Sequence, residues 1–265
     1  MLKKINSYIS LKKRAIFQNI LKRNYKPKVQ SVSGTQVTES IEKNGFFITN
    51  LEFLKANNVD LTWVNTIPDI KKLLDKREKQ DLSTIKKREK GSYAVDLNIL
   101  PLEIKKKLDA FAQSAFLINL IENYFKLSVF YRGVQIRKDL NDGNNIETRL
   151  WHCDGEDTKI IKIIFYLEDV YEKDGPFTFI PKKILNKKSK IKFDSHGRLN
   201  DNDILNYVNE ENIHKFHGKL GDCIFVDTCS IYHKGELPIN KPRYAVFFCY
   251  NSNYPLNPDF CKPLH

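Results

Sequence analysis

Three residues with metal-binding side chains and one arginine set the chemistry open to this chain. His152 and Asp154 stand two apart, His233 follows His152 by 81 residues, and Arg243 lies ten beyond that. Two imidazoles and one carboxylate in that order suit ferrous iron, held on one face with the other face left open. An arginine downstream offers a planar fork that matches a carboxylate-bearing cosubstrate. Thiolates, which oxygen chemistry would oxidise, are not required. The tripeptide His-x-Asp alone is weak; it gains weight from a strand context, from His233 in the turn expected after the run Gly221 to Asp227, and from Arg243 at the start of the next strand-like run.

Such a site needs a sheet to position it, and the sequence supplies one in its second half. After residue 127 the chain becomes a series of short runs rich in Val, Ile, Phe, Tyr and Thr, separated by Gly, Asn and Asp. Residues 128–136, 148–153, 159–167, 177–180, 215–219, 222–226 and 243–250 read as strands. Period two places His152 and Asp154 on one face of their strand and turns Cys153 away, into packing. In 160–167 it gives one apolar face of Ile161, Ile163, Phe165 and Leu167, suited to packing against the helices, and another of Lys162, Ile164 and Tyr166. An inward Lys162 needs an anionic partner, such as Glu156 or Asp157.

The first half reads differently. A short strand at 44–48 is followed by helical spacing at 51–56, 67–79 and, most clearly, 102–125, where Ile104, Leu108, Phe111, Ala112, Ala115, Phe116, Ile118 and Phe125 make a wide apolar face. That face requires a sheet as partner. Helices first and many short strands afterwards predict an α+β protein, a double-stranded β-helix (jelly roll, cupin-like) flanked by helices mostly from the N-terminal half. The expected organisation is a basic N-terminal helix and linker over 1–38, the linker read from the polar stretch at 32–40, and a single domain over 39–265.

Charge is local. Of the formal +12, nine positive charges and no acidic residue fall in residues 1–38, which leaves +3 for 39–265. Leu2, Ile5, Ile9, Ile16, Phe17 and Ile20 alternate there with Lys and Arg as in an interfacial helix. A solvated helix and a peripheral membrane or polyanion contact through 1–28 both fit, and charge alone does not separate them. No apolar run is long enough to span a bilayer or to act as a signal peptide. Five cysteines, an odd number without a CxxC pair, point to a reduced cytoplasmic protein with free thiols, and fit structural zinc poorly. A cytoplasmic protein, at most peripheral to the inner face of a membrane, is the expectation.

Longer stretches carry a resemblance. The run from Trp151 to Val170 (WHCDGEDTKIIKIIFYLEDV), then Asp174 to Pro181 (DGPFTFIP), then Gly221 and Asp222 leading to His233 and Arg243, resembles the phytanoyl-CoA dioxygenase family of Fe(II)/2-oxoglutarate oxygenases over about residues 45–250. The resemblance implies iron at His152, Asp154 and His233, and the distal carboxylate of 2-oxoglutarate at Arg243. It also places Gln135 near the cosubstrate. Lys162, on the inward face of its strand, is a candidate for a further contact to a cosubstrate or substrate carboxylate. O2 is the second cosubstrate, and Asp154, where halogenating relatives have a small residue, implies hydroxylation.

At 180–190 the chain departs from the Pro-Gly-Ser-His common in the family, so no substrate is implied. The insertion at 186–212, with His196 and Arg198, and His214 just beyond, is the expected source of substrate contacts or a lid. The substrate class read from the residues is a polar or anionic small molecule, a sugar or lipid-linked glycan at a membrane surface included. Two other classes stay open. One is a non-catalytic β-helix binding protein whose basic arm engages nucleic acid or another polyanion, a reading that the intact triad with Arg243 argues against, and nucleic acid is not the expected partner; the other is a cupin-type metalloenzyme that does not use 2-oxoglutarate.

Overall fold

The computed structural model describes residues 2–81, 92–94, 100–184 and 197–264. Helices α1 (Leu2–Arg23), α2 (Val32–Asn44), α3 (Leu51–Ala56), α4 (Ile67–Asp81), α5 (Leu102–Ala112) and α6 (Ala115–Phe125) come before most of the sheet. The strands are β1 (Phe46–Thr49), β2 (Ser92–Ala94), β3 (Val129–Asp139), β4 (Ile161–Tyr166), β5 (Phe177–Ile180), β6 (His214–Phe216), β7 (Cys223–Asp227), β8 (Tyr232–Gly235) and β9 (Arg243–Ser252), with a short α7 (Asp201–Ile204) before β6. One sheet has the order β1-β7-β4-β9-β3-β2 and the other β6-β5-β8. Every strand pairing is antiparallel.

Alternation along β4 separates two cores. Ile161, Ile163 and Phe165 join Val246 and Phe248 of β9 and face the helices, where they meet Val37, Ile41, Ile70, Leu108, Phe111 and Leu120. Ile164 and Tyr166 face the other way and pack with Phe177, Phe179, Ile224 and Ala245 between the two sheets. The helix side is held by four rings, Trp63, Phe111, Phe165 and Phe248, whose centroids lie 4.4–6.1 Å apart in every combination. Tilted and edge contacts of this kind add about 0.5–1.5 kcal/mol each beyond their buried area. The large sheet is therefore fixed to the helices on one face and free to build a site on the other.

Several expectations need correction. The single helix over 102–125 is two helices, because after Phe111 and Ala112 the buried positions move to Leu117, Leu120, Ile121 and Tyr124, out of phase with α5. Lys126, with φ +57°, closes the second helix. The polar stretch at 32–40 is helix, not linker: Ser31 Oγ accepts from the Gly34 amide at 3.1 Å, Gly45 closes the end at φ +87°, and Val37 and Ile41 are buried. A boundary at 38/39 thus falls inside α2. Residues 148–153 form no continuous strand; a 3-10 turn covers Glu147–Arg149, and only Trp151 and His152 pair, with Leu199 and His233. The strand expected at 215–219 is shorter, and His233 lies on β8 rather than in a turn.

Helix α1 lies against the body. Gln18, fully buried, donates to Asp157 Oδ1 at 2.7 Å and to the Tyr254 carbonyl at 2.6 Å. Tyr25 OH, two residues past the helix end, donates to Asn123 Oδ1 at 2.8 Å. Among the described residues no helix is long and apolar enough to cross a membrane. All five cysteines are free.

Candidate active site

The two histidines face each other across a two-residue bridge. His152 N donates to His233 O at 3.0 Å and His233 N to His152 O at 2.9 Å, so backbone pairing brings the imidazoles to 4.3 Å between centroids. Each ring is then oriented by its own Nδ1–H, which donates to the carbonyl two residues back: Leu150 O at 2.8 Å for His152 and Ile231 O at 3.3 Å for His233. That tautomer leaves both Nε2 lone pairs directed inward. Asp154, although beyond the paired segment, is brought round by its amide, which donates to Thr228 O at 2.9 Å. Its Oδ1 sits 3.9 Å from His152 Nε2 and 4.0 Å from His233 Nε2.

These three residues offer ligand atoms within 4.8 Å of one another, the metal-capable cluster among the described residues. Burial, and then the neighbouring ring, pushes His152 down to about 2, while burial pushes His233 down to about 4, so both imidazoles are neutral. Burial works against the Asp154 charge, but the Lys162 ammonium foremost holds its carboxyl below the usual range. The donor set is two neutral nitrogens and one anion, which is what ferrous iron requires of a facial site. Cys153 turns away, its thiol donating to Ile231 O at 3.2 Å.

Lys162 does find an anion, but not the one expected. Its Nζ lies 2.6 Å from Asp154 Oδ2, whereas Asp157 is taken by Gln18 and Ser252. Next to this pair a cavity opens between the sheets, and Gln135, Lys162, His152, His233 and Arg243 all line it, with Ile164, Tyr166, Phe177 and Phe247 as apolar walls. Arg243 is buried and already engaged: Nε and Nη2 donate to Asp139 Oδ2 at 3.2 and 2.6 Å, and Nη1 donates to the Gly175 carbonyl. Gly235 leaves the guanidinium its room, since a Cβ there would stand 2.9 Å from Nη2.

Sequence reasoning missed three charged residues of the cavity, Arg137, Asp139 and Arg149. The first two were within reach, since Gln135, Arg137 and Asp139 alternate on one face of β3 and the first had already been placed inside. Burial works against the Asp139 charge, yet Arg137 and then Arg243 hold its carboxyl below the usual range. Arg149 gave no such signal, because its 3-10 turn has no period to read. Of the insertion residues, Arg198 is half-buried and His196 lies outside the described residues; His214, just beyond, meets the Phe179 ring in a tilted contact at 5.7 Å, outside the cavity.

No family model matches the sequence, and no curated protein matches it. Solved structures do. EctD from S. alaskensis with bound Fe aligns over 85% of this chain and 80% of its own, at 17% identity and a TM-score of 0.54. EctD with 2-oxoglutarate and 5-hydroxyectoine aligns over 86% and 80%, at 18% identity and 0.53. The epimerase SnoN, in complex with Fe3+, alpha ketoglutarate and nogalamycin RO, aligns over 88% and 93%, at 13% identity and 0.52. The chain is a double-stranded β-helix protein. Within this β-helix the histidines come from the small sheet and its bridge, while Lys162, Gln135 and Arg243 come from the large one, so the cavity is a product of both sheets.

Proposed function

We propose that this β-helix protein is an Fe(II)- and 2-oxoglutarate-dependent oxygenase of the phytanoyl-CoA dioxygenase type, hydroxylating a polar or anionic small molecule. The observation that carries the reading is the pair of inward Nε2 atoms at 3.9 and 4.0 Å from Asp154 Oδ1, each ring fixed by its own Nδ1. His152, Asp154 and His233 would hold the iron. When bound, iron with 2-oxoglutarate and O2 supplies an oxidant strong enough to hydroxylate an unactivated carbon, with succinate and CO2 as co-products.

The chain's own residues do the rest. Nδ1 donation keeps each imidazole in the metal-binding tautomer, and Lys162 keeps Asp154 ionised. Arg243, Gln135 and Lys162 are the groups in this cavity suited to the carboxylates of 2-oxoglutarate, and Asp139 aims the Arg243 fork. Ile164, Tyr166, Phe177 and Phe247 exclude water from the reacting centre. Arg137 and Arg149 add positive charge to the lining, which favours an anionic substrate.

One observation supports a second reading. Three nitrogens of Arg243 already donate within the protein, which suits a metalloenzyme that has no use for 2-oxoglutarate. Anaerobic calorimetry separates the two. The proposal expects 2-oxoglutarate to bind only after Fe(II), binding to weaken in Gln135→Ala, and succinate to form on admission of O2. Iron binding without any affinity for 2-oxoglutarate would leave the second reading standing, and a chain indifferent to Fe(II) would end both.

A further inference from the structure

Helix α1 carries two apolar rows, and only one of them is used by the fold. Leu11, Ala15, Gln18 and Leu21, at three- and four-residue spacing, turn toward the body, and Gln18 fixes the helix there through Asp157 and Tyr254. On the opposite side stand Ile16 and Ile20, 61% and 50% exposed, one turn apart. Beside them Phe17, 48% exposed, meets Tyr254, 43% exposed, ring edge to ring face at 5.6 Å. Lys12 and Lys13 lie one turn before Ile16, and Arg23 one turn after Ile20, all exposed. A helix already docked by one face gains nothing for the fold from isoleucines on the other.

We infer that this outer face of α1 is a binding surface for an anionic lipid bilayer. The segment has the charge for it, nine Lys or Arg and no acid over residues 1–38. The interleaving decides the class of partner. A nucleic acid or other soluble polyanion calls for cations alone, whereas a bilayer interface accepts apolar side chains at the acyl boundary while lysines and arginines reach the head groups. Tyr254, from the chain's other end, suits the same interface, with an apolar ring and a polar tip. Because Gln18 ties α1 to Asp157, the surface is rigid with respect to the body and sets one orientation of the protein on the membrane.

Co-sedimentation of the full chain with vesicles tests this. Vesicles of phosphatidylcholine mixed with phosphatidylglycerol are expected to pull the protein down, and phosphatidylcholine vesicles are not. Lys12→Gln with Lys13→Gln should lower the partition coefficient roughly 25-fold, about fivefold for each charge. Ile16→Asp with Ile20→Asp should reduce binding to the phosphatidylcholine level. Both pairs are exposed, and an unchanged urea midpoint shows that neither acts through folding. Failure to sediment with the anionic vesicles overturns the inference, as does binding indifferent to the lysine changes. Full binding by the aspartate variant would reassign the helix to soluble polyanions and overturn it equally.

Discussion

Removing Arg243 should damage the fold and the proposed cosubstrate site by separate routes, and the two can be pulled apart. Arg243 and Asp139 are 5% and 2% exposed, and Asp139 Oδ2 takes both Nε and Nη2 of the guanidinium. In Arg243→Ala the buried carboxylate loses two charge-assisted hydrogen bonds and keeps Arg137, 3.2 Å from its other oxygen. Breaking one side of such a pair costs about 3–5 kcal/mol. Asp139→Asn alone should cost a similar amount, by stranding the guanidinium against the Gly175 carbonyl. The double variant buries neither charge, so its loss should fall short of the sum by about 2–3 kcal/mol. Urea denaturation at neutral pH of the metal-free protein measures all three. Anaerobic calorimetry on the double variant should then show 2-oxoglutarate binding still absent although the loss of stability is smaller than the sum of the two single losses. Losses that add within about 0.5 kcal/mol would refute the claim that Asp139 and Arg243 act as a unit.

Other expectations are more compact. Asp227 is 1% exposed and accepts from Tyr124 OH at 2.6 Å, and burial raises its carboxyl above the ordinary value despite that bond. A raised folded value means that its stabilising contribution is full below the unfolded pKa and is lost as pH rises through the folded one. The stability difference between wild type and Asp227→Asn should therefore shift in favour of wild type as pH is lowered toward the ordinary carboxylate range, and a difference flat with pH would reject this. Gly175→Ala, at φ +71° with a Cβ 2.6 Å from Glu236 O, should lose on the order of 3 kcal/mol in a urea titration. Fe(II) at a thousandfold excess over its Kd should raise unfolding free energy by about 4 kcal/mol, and His152→Ala should abolish that gain. Gln18→Ala removes a donor from buried Asp157 and should cost about 2–3 kcal/mol, read in the same assay.

What the sequence made legible was whatever a short period records. Alternation in β4 predicted both of its faces correctly, down to which of them meets the helices, because each strand residue has only two directions to choose from. His152, Asp154 and His233 were legible as a set, and the structure brings them together, but the reason differs from the one inferred. His152 and Asp154 converge through a bridge and a separate amide bond to Thr228, not through one regular strand. Phase is where the reading failed. An apolar face can be drawn through all of 102–125, yet the turn at Gln113 and Ser114 resets it, and only packing reveals the reset. Helix α2 was hidden because Ser, Gly and Thr favour loops in isolation, while burial of Val37 and Ile41 overrides that preference. Partners of buried ions, such as Asp154 for Lys162 or Asp139 for Arg243, depend on tertiary distances that no local pattern encodes.

The bridge between His152 and His233 also orders events during synthesis. Its two backbone bonds close a loop of 81 residues, so neither imidazole has its partner while the chain is being translated up to His233. Loop closure of that length comes late, after the local helices and hairpins that lower its entropic cost. A ribosome-bound fragment that stops short of β8 carries His152 without His233 and so lacks one of the three candidate ligands. On the proposed function, capture of the metal would await the arrival of β8, and a chain stalled before residue 233 would offer only His152 and Asp154 of the three candidate ligands.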